Sequence, residues 1–174
     1  MKISYFIGVL GCMWLSACSS VQHSNTGVLE LNAKWAMLPI ANYTDVPQVG
    51  LRAETIAENE LRARKLNNLQ HYPPQLNNDT LFDPAERKVV LEALRWARAQ
   101  GVRYVLTGSV DEWRYKVGID GEPSVGMTLQ VLDLENSNAV LWSASGAKSG
   151  WGRDALSAVA RDLISELLGT LALQ

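Results

Sequence analysis

An apolar run at the very start of the chain constrains this protein more than any feature that follows. Lys2 supplies a positive flank, Ile3 to Trp14 supply the apolar centre, and Leu15-Ser16-Ala17-Cys18 closes it with small residues before a cysteine. That order is what an export signal needs, because the apolar centre partitions into the membrane while the charged flank stays inside. The run is too short and too close to the start for a membrane-spanning helix. Residues 1–17 therefore read as a signal peptide, and the folded domain is expected outside the cytoplasm.

Cysteine usage sharpens this. Of the two cysteines, Cys12 leaves with the signal, so Cys18 stands alone and cannot form an internal disulfide. Leu-Ser-Ala-Cys looks like a lipobox, in which the thiol is diacylated and the amine freed by cleavage is acylated. The alternative is an ordinary cleavage site that happens to adjoin a cysteine. A single acyl chain anchors weakly, at about 0.8 kcal/mol per buried CH₂, whereas several chains on one residue hold stably. Ser19 follows Cys18. Asp at that position resembles an inner-membrane retention mark, so Ser19 points to the outer membrane, with the domain on its periplasmic side.

The remaining chain has the length of one ordinary domain. Loss of Lys2 takes the formal charge from −2 to about −3, which argues against a nucleic-acid partner. Residues 18–33 are polar with little periodicity and read as the lipidated cysteine and a flexible tether. Fully extended, that tether reaches roughly 50 Å. Residues 34–174 read as the periplasmic domain.

Within it, Lys34–Ile40 reads as a strand and Asn42–Pro47 as a loop. Val49 to about Lys65 is helical, with Ala53, Ile56, Ala57 and Leu61 on one face. Leu66–Tyr72 is a weak strand, ended by Pro73-Pro74. Asp83, Pro84 and Glu86 form a capped helix start, Val90, Leu91, Leu94 and Ala97 a buried stripe, and Gly101 a left-handed stop. A long strand follows over Arg103–Val117. Its apolar phase runs Tyr104, Leu106, Val110, then shifts by one to Trp113, Tyr115, Val117, which predicts a bulge near Asp111 or Glu112. Asp120-Gly121 signals a hairpin turn. Two more strands, near Val125–Leu134 and Val140–Ala147, lead to a helix starting near Arg153. There Leu156, Val159, Ala160, Leu163, Ile164, Leu167 and Leu171 keep helical spacing. The expectation is a single three-layer-like α/β domain, a mixed sheet in the order β-α-β-α-β-β-β-α flanked by helices.

Catalytic chemistry is hard to find. His23 lies in the tether and His71 beside a Pro-Pro turn, with no partner at metal-ligand spacing; His71 reads as a surface or satisfied histidine. Gly146-Ala147-Lys148-Ser149 ends like a phosphate loop but lacks the glycine before the lysine and reads as a strand end. No nucleophile elbow stands out. Neither an enzyme nor a metal or other cofactor is expected.

The tryptophans are more informative. Trp35 and Trp142 fit core strand positions. Trp96 lies off the buried stripe between Arg95 and Arg98, as a subunit contact or a snorkelled surface residue. Trp151 stands between Gly150 and Gly152 with Lys148 and Arg153 nearby, which suits a membrane interface; the alternative is a ring folded back on its own domain.

Three stretches carry a family resemblance: Trp35-Ala36-Met37-Leu38-Pro39-Ile40-Ala41-Asn42-Tyr43-Thr44 with Pro47-Gln48-Val49-Gly50, then Tyr104 through Trp113, and Leu141-Trp142-Ser143-Ala144-Ser145-Gly146. They resemble the PelC family, the outer-membrane lipoproteins of the Pel exopolysaccharide export system. The broader fold resembles the curli secretion lipoprotein and the penicillin-binding-protein activator LpoB. The resemblance implies a dodecamer-like ring of identical subunits beneath an outer-membrane β-barrel porin, with Trp151 facing the membrane. It also implies an acidic surface that guides a cationic exopolysaccharide, for which Asp111, Glu112, Asp120 and Glu122 are the candidates. An LpoB-like activator is the rival, and it needs a long linker to cross the cell wall. A pore in its own right is the third reading, and there Asp111, Glu112 and Arg114 would face lipid badly.

Overall fold

The structure, a computed structural model, describes residues 19–73, 84–117, 121–152 and 154–174. Strand β2 (Trp35–Asn42) is the organising element. Its first six residues are all buried, as befits a strand covered on both faces. The period of two sends Trp35 and Met37 to one face and Ala36 and Leu38 to the other, and the two sets belong to two separate cores. Helices α1 (Val49–Ala63) and α3 (Leu156–Gly169) cover the first face. Helix α2 (Pro84–Ala99) covers the second, against β2. Three layers result, as expected.

The sheet has six strands in the order β1-β6-β5-β4-β2-β3. Strands β3 (Leu69–His71) and β4 (Tyr104–Tyr115) lie parallel to β2, reached through α1 and α2 respectively. Strands β4, β5 (Pro123–Asp133) and β6 (Ala139–Ser149) form an antiparallel meander. The shift in apolar phase along β4 is a real bulge: the register slips between Val110 and Glu112. Val110 and Trp113 both point into the core, while Asp111 is exposed and Glu112 half-buried.

Four expectations need correction. Residues 19–25 are not part of a flexible tether. Ser19–Asn25 is strand β1, paired antiparallel with β6 along its whole length. Only Val21 packs on the core, so the strand is held mostly by backbone hydrogen bonds that side-chain patterning does not advertise. The rest of the supposed tether is also docked: Leu29 is buried and bridges Leu173, with Leu31 N–H donating to the Gln174 carbonyl. On α2 the stripe is Val90, Ala93, Leu94 and Ala97, while Leu91 is 55% exposed, one helical step too far round. Helix α3 begins at Leu156 rather than near Arg153. Finally, β4 ends at Tyr115 rather than Val117, and both residues are exposed: Tyr115 keeps the core-facing phase, but the strand outruns the helices beneath it. Helix α2 does begin at Pro84; its expected cap, Asp83, lies outside the described residues, as do Asp120 and Arg153. Gly101 takes the left-handed conformation its position required.

One polar cluster locks the sheet to α1. Pro39 lies inside central strand β2, where it can donate no ladder hydrogen bond, and the pairing with β4 slips between Met37 and Ile40. The Ile40 N–H instead donates to Oε1 of Glu54, a carboxylate only 2% exposed. Oε2 of Glu54 faces His71 Nε2 at 2.9 Å, and Glu58 Oε2 faces His71 Nδ1 at 2.8 Å. Both ring nitrogens meet carboxylate acceptors, so the imidazolium form, with two donors, satisfies the cluster. Arg62 completes it, on Glu58 and on the Leu69 carbonyl of β3. Gly50 lets α1 sit this close, since a Cβ there would lie 2.1 Å from the Ile40 carbonyl oxygen.

The hydrogen bond to Glu54, reinforced by both carboxylate charges against the opposing effect of burial, raises the His71 pKa above its ordinary 6.5. A raised folded-state value stabilises the fold fully below the unfolded pKa, and the contribution is lost as pH rises through the folded one. Chemical denaturation should therefore show stability falling as pH is raised above about 6.5. His71→Gln should lose about 2 kcal/mol at pH 6 and lack most of that slope. A variant as stable as the parent and equally pH-dependent would remove His71 from this role.

Candidate functional site

The four candidate carboxylates do not form one cluster. Asp111 and Glu112 sit together at the β4 bulge, which turns two consecutive side chains to the same side. Glu122 lies at the base of the β4–β5 hairpin, where its carbonyl accepts from Lys116 N–H. It is four residues along β5 from Gly126, the partner of Glu112, or about 13 Å. Asp120 lies outside the described residues.

Glu112 is the more constrained of the bulge pair. Its Oε2 accepts from the Ser124 hydroxyl at 2.8 Å and its Oε1 from Arg114 Nε at 2.9 Å. The Ser124 hydrogen bond, with Arg114 behind it, holds the carboxyl below its ordinary pKa, so it stays ionised. Asp111 is exposed and accepts only a 3.2 Å hydrogen bond from Ser109 Oγ. Of the two charges, that of Asp111 projects outward and that of Glu112 is shared with Arg114.

Both carboxylates lie at one end of an open sheet face. Cross-strand register aligns Ser109, Thr128, Ser145 and Gln22 in one row, and Glu112, Gly126, Ala147 and Ser20 in the next. Every side chain here is short, or polar and flexible. The Thr128 hydroxyl donates to Ser145 Oγ at 3.1 Å. A shallow groove of about 360 Å³ runs along this face, with Asp111 and Glu112 on one wall and Ser20 and Gln22 on the other. The far wall belongs to β1, which is why reading the sequence alone misses it. The arrangement suits a polar, hydroxyl-bearing, cationic ligand, with Ser20, Gln22 and Ser145 as hydrogen-bonding side chains and one projecting carboxylate at the rim.

The second feature is the end of the sheet nearest the start of the chain. Ser19 pairs with Lys148, and β6 runs on into the turn that carries Trp151. The Trp151 N–H donates to Asp154 Oδ2 at 2.7 Å and the Asp154 N–H to the Trp151 carbonyl at 2.8 Å. Gly150 is packed so closely that a Cβ would meet Val159 at 2.6 Å. This tight turn leaves the indole 65% exposed rather than folded back on the domain. Lys148 pairs with Glu166, and Ser149 Oγ accepts from Lys116 Nζ.

Trp35 and Trp142 are fully buried, each with its indole N–H satisfied, on the Glu30 carbonyl and Thr170 Oγ1 respectively. Trp96 is half-buried, edge-on to Tyr72 at 5.4 Å between ring centroids. Among the described residues, no three His, Cys, Asp or Glu side chains converge as a metal site would require.

No family model matches the chain, and no curated protein does. Solved structures do. The chain is 41% identical to the PelC dodecamer of Paraburkholderia phytofirmans, with 90% of this chain and 99% of that one covered and a TM-score of 0.75. A singly substituted variant of the same PelC, also a dodecamer, matches at the same identity, over 90% of this chain and all of that one, with a TM-score of 0.76. Lipoprotein GNA1162 of Neisseria meningitidis is similar in fold alone, at 16% identity over 79% of this chain and 96% of that one, with a TM-score of 0.54. With two-fifths of its residues identical across the whole length of a PelC chain, this protein belongs to the PelC family.

Proposed function

We propose that this protein is a non-enzymatic lipoprotein of an exopolysaccharide export apparatus. It is anchored through acylated Cys18 to the periplasmic face of the outer membrane and assembles as a ring of identical subunits. The ring passes a cationic polysaccharide to an outer-membrane porin. The observation that carries this reading is the end-to-end likeness to PelC, whose solved form is a dodecamer. Physical features of this chain support its parts.

Strand β1 begins at Ser19, one peptide unit, about 3.8 Å, beyond Cys18. An acyl anchor there leaves no leash between membrane and sheet, so the domain stays at the bilayer surface. This speaks against an LpoB-like activator, which has to reach across the cell wall. The exposed Trp151 indole lies at the same end as Ser19 and serves as the interfacial aromatic. Trp96, half-exposed on α2 between two arginines, serves as a subunit contact. Asp111, with Glu112 beside it, marks the sugar path. Asp120 and Glu122 extend that path toward the hairpin.

Two measurements test this. Light scattering on the domain from Ser19 onward should give a discrete assembly near the mass of a dodecamer, constant across concentration. A monomer at every concentration would remove the ring. For the sugar path, Asp111→Asn with Glu112→Gln should weaken binding of a glucosamine oligosaccharide about five-fold at low salt. Added salt should bring the parent down toward the variant. Equal affinity of parent and variant at low salt would exclude the groove as that path.

A further inference from the structure

The apolar phase of β4 does not end where the core ends. Trp113 is buried at 3%, yet Tyr115, on the same side at the last position of β4, is 51% exposed, and Val117, two residues past the strand's end, fully so. The strand overhangs the start of α3. The Tyr115 hydroxyl meets the Asp154 carbonyl and the Leu156 N–H at 3.5 and 3.3 Å, while half of the residue stays open to solvent. An aromatic side chain at the end of a strand and a β-branched one just beyond it cost hydrophobic exposure unless something covers them.

Their position says what covers them. The overhang is the C-terminal end of β4, the N-terminal end of β5 and, by the antiparallel register, the end of β6 beside Ser19. Lys116 Nζ reaches the Ser149 hydroxyl at 2.7 Å, and the Gly150 N–H donates to the Pro123 carbonyl at 2.9 Å. These two bonds tie the arm to the start of the Trp151 turn. Three of the large exposed apolar side chains, Tyr115, Val117 and Trp151, stand at this end, with Lys116 among them. Two aromatic rings and one aliphatic tip with a lysine beside them form the mixture that suits a bilayer interface.

We propose that Tyr115 to Val117 form a second membrane contact beside Trp151, so that the domain stands on the bilayer on two points rather than hanging from its acyl anchor. This rests on the reading that Cys18 is acylated. Two points on different strands fix the tilt of the sheet, which a single tryptophan on a turn does not. The open Ser/Thr face then meets the membrane at a set angle in every subunit.

The test uses the full chain, matured in cells and reconstituted into phosphatidylethanolamine–phosphatidylglycerol vesicles, with Val117→Cys carrying an environment-sensitive fluorophore. The acylated mature chain has no other thiol. Asn67→Cys, exposed at the opposite end of the sheet, serves as control. The label at 117 should shift to the blue on reconstitution and be quenched by lipids carrying a nitroxide near the headgroup, while the label at 67 does neither. A protein that floats with the vesicles but shows the same spectrum at both positions overturns the proposal. So does a blue shift at 117 that lipid nitroxides leave unquenched, since a protein partner then covers the arm. A chain that fails to float and accepts label at Cys18 overturns the anchor reading itself.

Discussion

The arrangement of this protein depends on the antiparallel ladder between β1 and β6. Seven residues with almost no apolar content are held there by backbone hydrogen bonds, from Ser19 opposite Lys148 to Asn25 opposite Trp142. That ladder brings Ser19 to the end of the sheet where Trp151 turns outward. It also adds the wall of the groove opposite Asp111. Remove it, and residues 19–25 become a loose segment and the groove loses one side. Segment 26–33, docked against the C-terminal residues through Leu29 and Leu173, keeps the ladder from peeling away from its far end.

The interior shows how a central strand tolerates a proline. Pro39 breaks the β2–β4 ladder, and the Ile40 N–H that would otherwise be stranded is taken by a buried carboxylate. A buried charge needs a partner, and His71, on a strand of only three residues, is that partner. A short edge strand, a kinked central strand and the first helix are thus coupled through one imidazolium. The β4 bulge acts at the surface in the same manner: one inserted residue keeps Val110 and Trp113 in the core and presents two carboxylates side by side.

How much of this could be read from sequence follows from where the information lies. Helix α3 is legible because seven apolar positions repeat at 3.6-residue spacing. The β4 bulge is legible because a period-two pattern cannot change phase without one. Lipidation at Cys18 is an expectation of local chemistry, which for Trp151 leaves an exposed ring and a folded-back one both open; the fold has it exposed. Strand β1 is not legible, since its pairing uses backbone groups that every residue carries and its outer face is polar. The exposure of Tyr115 and Val117 is equally hidden. Tyr115 has the right phase for a core, and only the length of the helices beneath decides where that core stops; Val117 lies past the end of the strand. His71 reads as a surface or satisfied residue, and it is satisfied, but by two carboxylates that sequence places more than a dozen positions away.

Hydrogen–deuterium exchange on the protein reconstituted into vesicles tests whether the chain is tied into the sheet from Ser19 onward, as the proposed seating of the domain on the membrane requires. Amides of β1 that face β6 should exchange as slowly as those of β6 itself, far more slowly than a free chain. Exchange through residues 20–25 at the rate of an unstructured peptide would contradict the account and restore a leash between anchor and domain.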